Sequence, residues 1–108
     1  MSDTPQTTVE RNEARKRYEV MVDGEVGGFL MYRPAEDGRV ILPHTEVDPS
    51  HKGKGLGSIL AAEALADLAR RGAVVVPECP FIVHYLTDHD VAGLVVEWPE
   101  HEDPAESA

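Results

Sequence analysis

The sequence contains a single cysteine, Cys79, and no uninterrupted apolar run approaching the roughly 20 residues of a membrane-spanning helix. A lone cysteine excludes an intramolecular disulfide and fits a reducing compartment. The N-terminal stretch has no apolar segment behind a basic start, so no secretory signal is expected, and the reading is a cytoplasmic protein away from membranes. Cations are also scarce: 10 lysines and arginines stand against 20 acidic residues, a net charge of -10. Binding to a phosphate backbone needs a basic surface, which argues against nucleic acid and favours cationic partners. No glycine is followed by lysine and then a hydroxyl residue, which excludes a P-loop, and Ser58 stands where the third glycine of a dinucleotide fingerprint would fall. His84 and Asp88 share a helical face without a third ligand at suitable spacing, so no metal site is expected. No internal repeat is visible.

At 108 residues the chain forms one domain with one small core. Residues 1–16 are polar and aperiodic and read as a flexible lead-in, residues 17–98 as the folded domain, and residues 99–108 as an acidic disordered tail. Tyr18-Glu-Val-Met-Val-Asp23 alternates as a strand, and Asp23-Gly24 signals a hairpin before Gly27-Gly-Phe-Leu-Met-Tyr-Arg33. A third run, Arg39 to Val47, follows a turn, with Pro43 marking a bulge, edge or break. Leu56, Ile59, Leu60, Ala64, Leu65 and Leu68 then recur at helical spacing, and Arg70, Arg71 and Gly72 supply a helix end. Ala73 to Cys79 reads as a buried strand, and a helix opens at Pro80. Val91 to Trp98 is open between a short helix and a last strand. The order predicts an α+β fold: a mostly antiparallel central sheet, a β-α-β unit with a right-handed crossover, and a C-terminal helix.

The densest feature lies between the third strand and the first helix, in Val47-Asp-Pro-Ser-His-Lys-Gly-Lys-Gly-Leu-Gly-Ser-Ile-Leu60. A helix N-terminus exposes unpaired N–H groups and a partial positive charge, glycines let backbone approach an anion closely, and lysines add charge at the rim. Against the acidic background His51, Lys52 and Lys54 are locally positive. The physical reading is a phosphate or pyrophosphate cradle, with a plain glycine turn as the alternative.

Lys52-Gly-Lys-Gly55-Leu-Gly57 resembles the [QR]-x-x-G-x-[GA] signature of the GNAT superfamily of N-acetyltransferases, with lysine where that family usually has glutamine or arginine. His44-Thr-Glu-Val47 and Pro77-Glu-Cys-Pro-Phe81 further resemble segments of its compact single-domain, Yjdj-type subgroup, over about Tyr18 to Leu94. The subgroup usually continues His-Pro-[ED]-[YF], where this chain has His89-Asp-Val-Ala92. The resemblance implies a compact GNAT-like fold and acetyl-CoA as cosubstrate. Its pyrophosphate would sit on the backbone of Lys52, Gly53, Lys54, Gly55, Leu56, Gly57 and Ser58. Pantetheine would lie like an extra strand beside Thr45 and Val47, where that strand and the one ending at Cys79 splay apart, with the acetyl group near Cys79. Helices that shape acceptor sites in longer family members are missing.

Acetyl transfer needs a nucleophile, a place for its proton and donors for the oxyanion. In direct transfer a substrate amine attacks and Glu46 or His44, on one side of a strand, takes the proton. In a covalent route Cys79 takes the acetyl group first, activated by a base such as His44 or by the helix start at Pro80. Each of these residues also has a bland reading: Cys79 as inert core, His44 as a structural histidine, Glu46 as a solvated strand residue. The leading expectation is an enzyme acetylating an amine, cationic in view of the chain's acidity; the alternative is a non-catalytic acyl-CoA binding or regulatory module. The acceptor and the oligomeric state are open at this stage.

Overall fold

A computed structural model of the chain describes residues 7–51, 53 and 55–99. Lys52 and Lys54, the cations expected at the cradle, and the acidic tail from residue 100 onward lie outside the described residues. The first sheet contains β1 (Thr7–Asn12), β2 (Arg17–Val22), β3 (Glu25–Met31) and β6 (Thr45–Val47) in the order β1-β2-β3-β6, all antiparallel. The second contains β4 (Arg33–Pro34), β5 (Arg39–Leu42), β7 (Val74–Pro77) and β8 (Val95–Val96) in the order β4-β5-β7-β8, with β5, β7 and β8 parallel. Helices α1 (Leu56–Arg70) and α2 (Pro80–Asp88) fill the β5-α1-β7 and β7-α2-β8 crossovers. Successive right-handed crossovers that step the same way across a sheet put both helices on one face.

Three local features differ from the sequence reading, and one that was open is decided. Thr7–Asn12, expected within the lead-in, is a strand pairing with β2 from Thr7↔Val22 to Asn12↔Arg17. Its TTVERN sequence offers one aliphatic residue, Val9, so backbone pairing rather than apolar patterning makes the strand. The single third run is two strands: Pro43 lacks an N–H, and the chain leaves β7 before it and joins β3 after it. The open Val91–Trp98 segment carries the short strand β8. Ile59 is exposed, and Ala61 takes the core position instead.

Other expectations hold. Asp23 and Gly24 both adopt positive φ, at 51° and 87°, and close a two-residue hairpin with Val22 opposite Glu25. At the end of α1, Gly72 has φ 71°, its N–H bonds Ala69 O and the Ala73 N–H bonds Leu68 O, a pattern that satisfies the last carbonyls of the helix. The core joins Tyr18, Val20 and Leu30 of the first sheet and Leu42 and Val75 of the second to Leu60, Ala64, Leu65 and Leu68 of α1 and Ile82 of α2. Each buried leucine is worth about 1.5–3 kcal/mol. Among the described residues no helix covers the opposite face. There the first sheet presents Glu10, Glu19, Phe29 and Glu46 in one cross-strand row.

Candidate functional site: the cradle and the strand splay

The splay arises where the split run changes sheets. Its last rung to β7 is Leu42↔Pro77, and the Leu42 carbonyl accepts hydrogen bonds from both Glu78 and Cys79 N–H, at 3.1 and 3.0 Å. Beyond that point β6 follows β3 while the other chain turns into α2. Between β3 and β6, Met31 N–H donates to His44 O and Asp48 N–H donates to Gly27 O. An antiparallel ladder alternates, so these bonds make Leu30↔Thr45 and Gly28↔Val47 the non-hydrogen-bonded pairs. The N–H and C=O groups of Thr45 and Val47 therefore point away from β3, into the splay. The Cys79 Sγ–H donates to Thr45 Oγ1 at 3.4 Å across the closed end, and Cys79 is buried.

His44 and Glu46 come together as alternation predicts, Nε2 to Oε1 at 3.0 Å, with both side chains more than half exposed. The His44 ring also stands 6.1 Å from Phe29, and Arg17 lies over Phe29 at 4.4 Å. Cys79 is not part of this pair. Its partner Thr45 lies on the opposite side of β6 from Glu46, because successive side chains on a strand alternate. That separation was implicit in the sequence numbering, since 45 falls between 44 and 46.

The approach to α1 is pinned by Asp48, whose Oδ1 accepts from Ser50 N–H at 2.9 Å and from the Ser50 hydroxyl at 2.8 Å. Those two bonds, with the nearby His51, hold the Asp48 carboxyl below its usual range. A 3-10 turn, Pro49–His51, leads into Gly53 and Gly55, with φ of 79° and 75°. This is backbone that residues with a Cβ rarely adopt. Gly55 is the N-cap of α1, no side chain caps it, and the first turn holds no acidic residue. The first helical bond is Ile59 N–H to Gly55 O, which leaves the N–H groups of Leu56, Gly57 and Ser58 without helical partners. The His51 Nδ1 is buried with no hydrogen-bond partner among the described residues. The sequence marked His51 only for its charge; its orphaned nitrogen beside the cradle needed the fold to see. The end of the Phe81 side chain lies 2.9 Å from where a Cβ on Gly57 would stand, so the first turns of α1 and α2 meet at this corner.

Residues 17–93 match the family model described as GCN5-related N-acetyl-transferase. The chain belongs to that family. The match covers the strand-cradle-helix-strand-helix core, so membership of an acyltransferase family and a compact GNAT fold are both in place. A search of curated proteins finds no match. Among solved structures, the chain is similar to a ribosomal-protein-alanine N-acetyltransferase from Brucella melitensis biovar Abortus 2308, at 22% identity and a TM-score of 0.42. That alignment covers 84% of this chain and 54% of the other, so this GNAT chain spans about half the length of the protein it matches. Among the described residues no group of three or more His, Cys, Asp or Glu side chains is arranged to hold a metal, and no helix is long and apolar enough to cross a membrane.

Proposed function

We propose that this GNAT chain, a compact Yjdj-type member, is an acetyl-CoA-dependent N-acetyltransferase acting on an amine. The observation that carries the reading is the pair of backbone edges of Thr45 and Val47, without backbone partners among the described residues, opening on a splay whose closed end holds Cys79. A pantetheine arm, with its two amides, has the length and hydrogen-bonding groups to pair there as a strand would. The pyrophosphate falls to the cradle at residues 52–58, on the N–H groups of Leu56, Gly57 and Ser58 that lack helical partners and on the glycine backbone, with the His51 Nδ1, orphaned among the described residues, as a further donor in the tautomer that protonates it.

Direct transfer fits the side chains better than a covalent route. The substrate amine attacks the thioester carbonyl, a C–N bond forms and the C–S bond breaks. CoA leaves as thiolate, and the proton lost by the amine passes to the His44–Glu46 pair, either directly or through water. Cys79 is buried against a hydroxyl rather than a base, which suits a packing and positioning role. Glu46→Gln is expected to slow transfer by about tenfold or more.

The deciding experiment is calorimetric titration of CoA, followed by intact mass spectrometry after incubation with acetyl-CoA, on the wild type and on Cys79→Ala. Direct transfer predicts CoA binding in both, no acetyl adduct on either, and acetylated amine product from both. An adduct that appears only when Cys79 is present would replace this route with the covalent one. Binding with no product from any amine offered would leave a non-catalytic acyl-CoA module. Absence of CoA binding would sink the whole reading.

A further inference from the structure

Outside the cradle and the splay, an open groove of about 890 Å³ runs between the end of β7, α2 and the C-terminal segment, lined in part by Pro77, Glu78, Pro80, Val83, Trp98 and Pro99. Its size suits a small organic ligand. Trp98, the sole tryptophan, is 49% exposed and also lines an adjoining cavity with Glu78 and Glu97. Glu78 is the carboxylate that lines both cavities together with Trp98. Glu97 is engaged by Arg39 at 3.1 Å. Glu78 has a looser partner, Arg33 at 4.0 Å, beyond hydrogen-bond reach, and its side chain is nearly half exposed.

An indole face, a loosely held carboxylate and an apolar wall of prolines and valine form the complement of an ammonium group on an apolar stem. The cation gains from both the ring quadrupole and the carboxylate, and the stem lies against Pro77, Pro80 and Val83. The chain's net charge of -10 disfavours an anionic occupant. Glu78 and Pro80 flank Cys79 directly, so the groove begins one residue from the closed end of the splay. We propose that this groove holds the acceptor: a small primary amine on an aromatic or aliphatic stem, docking as its ammonium at Glu78 and Trp98 and giving one proton to the Glu78 carboxylate before the neutral nitrogen attacks. The assignment rests on the acetyltransferase reading for its role, but not for its binding chemistry.

Trp98 reports on the groove by itself. The full chain is titrated with benzylamine, and separately with benzyl alcohol, without CoA, following tryptophan emission. The wild type is expected to give a saturable change with benzylamine, with affinity about fivefold weaker for benzyl alcohol and for benzylamine on Glu78→Gln, the size of one ion pair. Glu97→Gln is the control that keeps the response. An equal response to the alcohol, an unaltered affinity in Glu78→Gln, or no saturable change overturns the proposal. A parallel CoA titration separates the two readings: CoA binding without amine binding removes this groove and leaves the transferase, whereas amine binding without CoA binding keeps the groove and removes the transferase.

Discussion

Replacing Asp67 with alanine is expected to lower the unfolding free energy by about 3 kcal/mol, measured by urea denaturation near neutral pH. Asp67 ties α1 to the first sheet through one carboxylate. Its Oδ2 accepts from the buried Tyr18 hydroxyl at 2.6 Å and from Arg71 Nε at 2.7 Å, and Oδ1 receives Arg70 at 3.4 Å. Arg11 donates to the same Tyr18 oxygen at 2.6 Å and stacks over Tyr32 at 4.3 Å. Alanine strands the Tyr18 O–H and leaves three guanidinium groups without their shared counter-charge. Asp67→Asn separates charge from shape. Burial by itself would raise the Asp67 carboxyl, but the hydrogen bonds from Tyr18 and Arg71, with the Arg71 and Arg70 charges, outweigh it and hold the group below its ordinary value. A depressed folded-state value stabilises above the unfolded carboxyl's titration near about 3.9 and is lost as pH falls through the folded one. The urea midpoint should therefore drop on acidification below about pH 4 in the wild type, and less in Asp67→Asn. The Tyr18 phenol is pushed up, first by burial and then by its bond to Asp67. Its contribution is complete below about pH 10 and fades above that, as pH rises toward the folded value. A midpoint equally steep in acid for wild type and Asp67→Asn would remove Asp67 from this account.

Gly28→Ala is the second substitution expected to act strongly, by about 2 kcal/mol on stability, with CoA affinity reduced alongside. A Cβ there would stand 2.7 Å from the Glu46 carbonyl oxygen and 3.1 Å from Val47 Cα. Both are backbone atoms and cannot swing aside. The close approach comes from the non-hydrogen-bonded Gly28↔Val47 pair, in which facing chains run nearest. The methyl must push β6 away from β3 and into the splay, narrowing the site proposed for pantetheine. Gly57 makes the useful contrast: its Cβ would meet only the tip of Phe81, a ring 39% exposed and able to turn away, so Gly57→Ala should be mild in the same denaturation experiment. Gly28→Ala melting with the wild type, or binding CoA as tightly, would remove the steric argument.

How much of this could be read from the chain depends on which physical rule governs each residue. Asp23-Gly24, Gly72 and the α1 stripe apart from Ile59 follow local rules, and the structure honours them. The pairing of His44 with Glu46 follows from strand alternation alone. The same rule places Thr45, not His44, opposite Cys79, so the pairing of His44 with the thiol expected for a covalent route is not formed. β1 was illegible because TTVERN is nearly all polar, and only its partner β2 makes it a strand. Pro43 announced a break, but which sheet each half would join depends on β3 and β7, distant in sequence. The Trp98 groove is assembled from β7, α2 and the C-terminal segment, and no spacing in the chain announces it.

The alternation along β6 also has a kinetic face. The Glu46 amide sits in the bonded register with Phe29, while the amides of Thr45 and Val47 look into the splay. In deuterated water three consecutive residues of one short strand should therefore exchange at alternating rates, fast, slow, fast. A cosubstrate that docks as a strand would slow the outer two and leave the middle one as it was, so its pose would be written in the exchange pattern of β6.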